Sequence, residues 1–255
     1  PVININGEVV ALNAGGNNNS SSSFFFPPTR VERALKLIQQ NQVVKRGSLQ
    51  TEFVRLTFDE LGRLGLSSEL EQQLRENINV SEGMLVAQRI INNAEIAKFI
   101  EPGDILLRIN EILITNFITL ADILDENVGR DVTIEINRGG SNYRFMINVT
   151  DLHDITPDAY LTFGDSVFNN FSYQQARHYN IPIMGMYVAD PGYSLSKSGV
   201  PRGAVIFEVD GELITNIEDF KDYLLTLTDE NKINLRFVRY SDPVNSVLQC
   251  CRLKN

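Results

Sequence analysis

Cysteine and histidine are both scarce, with two of each in 255 residues. The cysteines adjoin, Cys250-Cys251, and neighbours on a strand point to opposite faces, so this pair is badly placed to chelate one metal. A disulfide framework is excluded as well, which suits a reducing compartment. His153 and His178 have no convergent acidic or thiol cluster in the sequence; each reads as structural or exposed. Basic residues are outnumbered, 23 Lys and Arg against 32 Asp and Glu, for a net charge of −9. That balance argues against a general nucleic-acid or anionic-membrane surface, because both need clustered cations. No apolar run approaches the roughly 18 residues of a membrane span, and no charged-then-apolar leader opens the chain. Neither a metal nor a cofactor, nor nucleic acid, nor membrane insertion is expected. The chain begins at Pro1 without a Met and reads as a piece of a longer protein.

What the sequence does contain is one stretch twice, one hundred residues apart. Gly103-Asp104-Ile105-Leu106-Leu107-Arg108-Ile109-Asn110-Glu111-Ile112-Leu113-Ile114-Thr115-Asn116 matches Gly203-Ala204-Val205-Ile206-Phe207-Glu208-Val209-Asp210-Gly211-Glu212-Leu213-Ile214-Thr215-Asn216. Leu113 to Asn116 is identical to Leu213 to Asn216, the glycines align and Asn110 matches Asp210. Each copy reads as a turn, a short apolar strand, a polar turn and a second strand. Each is followed by a helix with one apolar face, Leu120, Ile123 and Leu124 in the first and Phe220, Tyr223 and Leu224 in the second. Alternating strands then close both units, through Val132, Ile134 and Ile136, and through Ile233, Leu235 and Phe237. Each unit should hold five or six strands and two short helices.

The remaining segments are read in order. Val2-Ile3-Asn4-Ile5, Asn6-Gly7 and Glu8 to Leu12 predict a hairpin. Two strands alone are unstable in water, so it should belong to a larger sheet. Asn13 to Ser23 is a Gly/Asn/Ser tract expected to be a loop. Thr29 and Glu32 can form a capping box for a helix whose apolar face is Val31, Ala34, Leu35 and Ile38. Gln39 to Lys45 reads as a connector. A glycine-led loop and strand (Arg46 to Val54), capped helices at Thr57 and at Ser67 or Ser68, a strand from Met84 to Arg89 and a short turn from Ala94 to Phe99 complete the first unit. In the second, Leu161 to Phe171 takes the place of Leu49 to Leu56, Ser172 to Arg177 that of Thr57 to Gly62, and Ile183 to Ala189 forms a strand. Tyr193 to Lys197 is expected to be a loop.

Each unit resembles a PDZ domain of the HtrA (Deg) serine proteases, on the evidence of Glu101-Pro102-Gly103-Asp104-Ile105-Leu106-Leu107-Arg108-Ile109-Asn110, the helix after Thr119, and Gly129 to Arg138. Pro1 to Leu12 is similar to the segment that follows the catalytic Gly-x-Ser-Gly of that family, and Phe24-Phe25-Phe26-Pro27 with the next helix to the end of its protease domain. Asp151 to Pro157 and Ser172 to Arg177 resemble the family's fungal nuclear, pro-apoptotic branch. The resemblance implies an α+β, mostly β chain: 1–28 the last strands of a trypsin-like β-barrel, 29–45 a helix and linker, 46–150 and 151–255 two PDZ-like domains. It also implies a serine endopeptidase as parent, with the catalytic Ser just before Pro1 and the His and Asp further upstream, so that this piece alone has no peptidase activity. Gly164-Asp165-Ser166 resembles a nucleophile motif, but Val167-Phe168 follow it where an oxyanion hole needs small residues.

PDZ domains take a peptide as an added strand on a sheet edge, and a loop of convergent amides can hold a terminal carboxylate. By the resemblance, Gly47, Ser48, Leu49, Gln50 and Thr51 form that loop, Glu52 and Phe53 the docking edge, and Leu120, Ile123 and Leu124 the facing helix. Leu49-Gln50-Thr51-Glu52 lacks the glycine that the family's loop carries, which weighs against carboxylate capture. In the second unit Asp165 would repel an incoming carboxylate. The expected partners are peptides or unfolded segments, the protease domain of the same parent chain and a possible homo-oligomer, in the nucleus or cytoplasm. The readings that follow are a regulatory peptide-binding module, the C-terminal part of a working endopeptidase, or a PDZ scaffold or adaptor.

Overall fold

The computed structural model describes residues 1–17, 22–76, 83–227, 232–239 and 241–252. The chain is α+β and mostly β, and it divides into two compact units, Pro1–Lys45 and Arg46–Asn255.

The first unit is an antiparallel sheet of β1 (Val2–Ile3), β2 (Val9–Asn17) and β3 (Ser22–Phe26), followed by helix α1 (Pro28–Gln39). The Asn4 carboxamide oxygen closes the first turn by accepting the N–H groups of Asn6 and Glu8 at 2.9 and 3.0 Å. The Gly/Asn/Ser tract expected to be a loop is strand on both flanks, with Gly15 opposite Phe24 and Asn17 opposite Ser22. Ladder pairing satisfies backbone groups without needing apolar side chains. Residues 18–21 of the tract lie outside the described residues. The Thr29 cap is corrected: α1 starts one residue earlier, at Pro28, after Pro27 in extended conformation. Proline is pre-set for the first helical position, where its missing N–H costs nothing. The apolar face of α1 stays open, with Val31, Leu35 and Ile38 all exposed.

In the second unit, the first repeat runs β4 (Gly47–Ser48), β5 (Thr51–Leu56), α2 (Phe58–Arg63), α3 (Ser68–Arg75), β6 (Met84–Ile90), a 3-10 turn (Glu95–Lys98), β7 (Ile105–Ile109), β8 (Ile112–Leu113), α4 (Phe117–Glu126), β9 (Asp131–Arg138), β10 (Ser141–Asn148) and β11 (Thr150–Asp151). The second repeat runs β12 (Tyr160–Phe163), β13 (Ser166–Asn170), α5 (Tyr173–Tyr179), β14 (Met186–Asp190), α6 (Gly192–Lys197), β15 (Val205–Val209), β16 (Glu212–Leu213), α7 (Ile217–Thr226), β17 (Lys232–Arg239) and β18 (Asp242–Arg252). The sheets are antiparallel, ordered β10-β9-β7-β6-β5 and β12-β13-β14-β15-β17-β18, while β4 pairs with β11. The loop expected over Tyr193 to Lys197 is helix α6, because Leu195 is buried in the second core. Tertiary burial overrides the weak local signal of a serine-rich run.

Strand alternation sorts side chains onto two faces. In the first sheet Leu85, Ala87, Leu106 and Ile109 face α4, whereas Met84, Val86, Ile105 and Leu107 pack with Phe58, Leu61 and Leu74 of α2 and α3. In the second sheet Met186, Val188, Ile206 and Phe237 pack with Phe220 of α7. Its opposite face has no counterpart of α3. There Val205, with Phe171, Tyr173 and Ala176, joins the buried cluster of the first repeat. Asn93 rivets the contact, donating to the Ile183 carbonyl and accepting the Ile183 N–H at 3.3 and 3.2 Å.

Repeated residues do repeated jobs. Asn110 and Asp210 both sit at positive φ, 47° and 48°, and their side chains accept the N–H of Thr133 and Asn234 at 2.9 and 2.8 Å. One pin is unique to the first repeat. Buried Asp104 accepts Nε and Nη2 of Arg138 at 2.7 and 2.6 Å and the Glu101 N–H at 2.8 Å. In the second repeat Ala204 holds that position. Replacing Asp104 by Ala removes two charged hydrogen bonds of Arg138, which keeps Glu101 and the Phe99 carbonyl, and urea unfolding should show a loss of about 2 kcal/mol. Asn93→Ala should cost about 1 kcal/mol.

Candidate functional site

The outer edge of β5 is paired with no strand among the described residues. It therefore presents free backbone donors and acceptors, the requirement for adding a strand. Beside it, Leu49 and Phe53 lie in one apolar cluster with Leu120, Ile123 and Leu124 of α4. All three helix residues are buried, at 6 to 7% exposed, and with Leu49 and Phe53 they form the apolar layer between β5 and α4, above which a peptide groove would lie. Glu52 lies on the edge strand 3.9 Å from Arg89.

Gly47 and Ser48 sit at the head of this groove on β4, held by β11. A Cβ on Gly47 would fall 2.2 Å from the carbonyl carbon of Leu124, so only glycine lets the strand press against the last turn of α4. The approach is sealed by Asp125, which accepts the Gly47 N–H at 2.9 Å and Arg46 Nη1 at 2.8 Å. Asp125 was not among the residues singled out from the sequence; one aspartate in an acidic helix end carries no signal of a partner far back in the chain.

The loop lacks the family's glycine, and the structure shows how Gln50 lets it turn. Its φ is +53°, the left-handed region glycine would adopt. The Ser48 hydroxyl accepts the Gln50 N–H at 3.0 Å, the Gln50 carbonyl accepts the Ile91 N–H at 3.1 Å, and its side-chain amide donates to Thr150 at 3.3 Å. Thr51 donates its hydroxyl to the Leu49 carbonyl at 3.2 Å. The loop thus keeps a glycine-like course with a non-glycine residue.

The junction between repeats holds the same loop from behind. Asp151 accepts the backbone N–H groups of Arg46 and His153 at 3.3 and 3.1 Å and lies 2.9 Å from the His153 ring nitrogen. Burial opposes ionisation of Asp151, but these N–H bonds and the imidazole outweigh it and hold the carboxyl below its ordinary value. The counterpart positions of the second repeat are arranged differently. Ser166 is buried and donates its hydroxyl to the Pro191 carbonyl at 2.8 Å, and Asp165 accepts the Tyr193 N–H. A serine bonded this way is a structural anchor of the turn rather than a nucleophile. Tyr223 donates to Asp210 at 2.6 Å; burial, and then the carboxylate, push its hydroxyl up to about 12. His153 and His178 are both exposed. Among the described residues no group of three or more His, Cys, Asp or Glu could hold a metal ion.

Two outcomes follow from this geometry. Gly47→Ala should destabilise the second unit by about 1–3 kcal/mol through overpacking. Gln50→Gly should be tolerated, while Gln50→Val should cost about 1–2 kcal/mol at the left-handed position; urea titrations read all three. Because the Asp151 pKa is lowered by folding, its contribution is full above the unfolded value near 4 and disappears as pH falls through the folded value. The stability gap between the wild type and Asp151→Ala, followed by thermal melts, should therefore be present at pH 5 and shrink below about pH 4.

A profile described as "PDZ-like domain" matches residues 154–230. Protease Do-like 7 of Arabidopsis thaliana is 40% identical over 253 residues, covering 95% of this chain and 23% of that protein. Pro-apoptotic serine protease NMA111 of Vanderwaltozyma polyspora is 37% identical over 243 residues, covering 95% of this chain and 24% of that protein. Among solved structures, HtrA-type protease AlgW with decapeptide is 18% identical at a TM-score of 0.40, over 57% of this chain and 42% of that one. The chain spans about a quarter of the length of the curated relatives it matches. Along nearly all of its length it is a homologue of one segment of the HtrA-like serine proteases, and it carries a PDZ-like domain.

Proposed function

We propose that this chain is the tandem-PDZ regulatory segment of an HtrA-like serine endopeptidase, recruiting peptides or unfolded segments and relaying their presence to a protease domain of the same parent. The observation that carries the reading is the open edge of β5, set between a loop of glycine-like course at Gly47 to Gln50 and the apolar face of α4. A peptide added to that edge gains backbone hydrogen bonds along Glu52 and Phe53, while alternate side chains enter the groove toward Leu120, Ile123 and Leu124. The exposed apolar face of α1, together with exposed Ile3, Val9, Val10 and Phe25, supports a protease domain as the partner of the first unit. Exposed apolar side chains grouped in this way are a mark of a surface that another element covers. The nuclear setting is proposed by resemblance to the fungal branch.

The test is a titration of the 15N-labelled chain with a pool of peptides bearing free carboxyl termini, and with the same pool amidated. Amide shifts should concentrate on residues 50–55 and on α4, with weaker binding of the amidated pool. Binding that leaves β5 and α4 unperturbed would overturn the peptide-site reading and leave a scaffold. Cleavage of an unfolded protein by this chain alone would contradict its regulatory role.

A further inference from the structure

The two repeats differ at the one edge where a peptide would add. In the first, the chain before β5 runs away from that edge: β4 passes beneath the end of α4 and pairs with β11. In the second, the chain before β13 turns back and pairs with it. Tyr160 lies opposite Asn169, Leu161 opposite Phe168, Thr162 opposite Val167 and Phe163 opposite Ser166. Strand β12 is therefore the last strand of the second sheet, on the edge that corresponds to the open edge of β5.

We propose that β12 is a tethered ligand of the second repeat, occupying its peptide-acceptor edge so that in the resting chain only the first repeat takes a peptide. The contrast rests on reading β5 as a peptide edge; the occupancy of β13 stands on its own geometry. β12 has the features of an added strand. It is antiparallel to β13 and lies against α7, and its side chains alternate, Tyr160 and Thr162 exposed, Leu161 and Phe163 turned into the core. Phe163 meets Phe220 of α7 edge to face, with ring centroids 6.5 Å apart, and Phe220 meets Phe168 of β13 at 5.5 Å. Insertion of alternate side chains between strand and helix is how such a groove reads a peptide.

The sequence explains why the repeats take different courses. The strand registers, Glu52 opposite Arg89 and Phe53 opposite Ala87 in the first repeat, Val167 opposite Asp190 and Phe168 opposite Val188 in the second, put Thr162 at the position of Gly47. The first repeat needs glycine there, since a Cβ would strike Leu124. Threonine cannot follow that path. The carboxylate that seals it is missing too: Leu225, 77% exposed, replaces Asp125. With glycine and carboxylate both absent, the segment satisfies its backbone groups on β13 instead. The displaceable ligand class follows: an extended segment with large apolar residues two apart, as in Leu161 and Phe163. Asp165 at the turn disfavours a terminal carboxylate there.

Hydrogen exchange on the wild-type chain is the primary test. The amides of β13 that face β12 should be protected without any peptide, and those on the open side of β5 should exchange at least ten times faster. A peptide selected for β5 should protect β5 and leave β13 unchanged. The variant Leu161→Ser with Phe163→Ser should then expose the β13 amides. The free hexapeptide with the sequence of residues 158–163 should restore their protection in that variant and leave wild-type β13 unaffected. Unprotected β13 amides in the wild type, or peptide shifts on wild-type β13 at the concentration that saturates β5, would overturn the proposal. If no peptide reaches β5 while β13 stays protected, the peptide-site reading fails and the occupancy of β13 survives. If the double variant unfolds, the wild-type exchange pattern alone decides.

Discussion

The close approach of Gly47 to the carbonyl of Leu124 governs how the first repeat is closed. It draws β4 beneath the end of α4, brings its N–H onto Asp125 and leaves the segment to pair with β11. Because that segment is spent on β11, the outer edge of β5 pairs with no strand among the described residues. A single missing Cβ thus connects helix packing to an unpaired edge some way along the chain. In the second repeat the same position carries Thr162, the path is blocked, and the segment pairs with the edge that the first repeat leaves without a strand. Two copies of one sequence pattern arrive at opposite treatments of an unsatisfied strand edge, and both treatments obey the requirement that backbone groups find partners.

A second constraint makes the two repeats one body. A sheet buried on both faces needs cover on both, and the first repeat supplies it with α4 on one side and α2 and α3 on the other. The second repeat has α7 on one side and only the short α5 on the other. Its remaining apolar face is covered by the first repeat, with Tyr173, Ala176 and Val205 in the same buried cluster as Leu120 and Ile123. The wall of the groove and the inter-repeat contact therefore share one close-packed interior. Close-packed interiors transmit displacement rather than absorb it, so a shift of α4 is felt by the side chains that hold the second repeat.

Much was legible from residue patterns alone. The duplicated Leu-Ile-Thr-Asn tetrapeptide, the shared glycines and the apolar faces of α4 and α7 announced two copies of one α+β unit, since period and turn chemistry are local properties. The ten residues expected to form a groove were named through family resemblance, and Leu49, Phe53, Leu120, Ile123 and Leu124 do share one cluster. Other features were hidden for specific reasons. The missing glycine in Leu49-Gln50-Thr51-Glu52 weighed against carboxylate capture, yet the Ser48 hydroxyl, the Ile91 N–H and Thr150 hold Gln50 at a positive φ; all of these are contacts the one-letter code does not display. Helix α6 depends on burying Leu195 in a core assembled from distant strands.

The sequence by itself determined the fold class, the duplication, the acidic surface and the lack of a metal-binding cluster in its pattern. Each follows from composition, spacing or the chemistry of neighbouring residues. Only the tertiary structure decided which sheet edge is open. Whether a strand goes to β11 or to β13 turns on contacts between residues far apart in the chain, Gly47 with Leu124 and Asp125 in one repeat, Phe163 with Phe220 in the other. Both choices satisfy the same backbone groups. The difference lies in three-dimensional room for one Cβ, a quantity that exists only once the helix and strand have met.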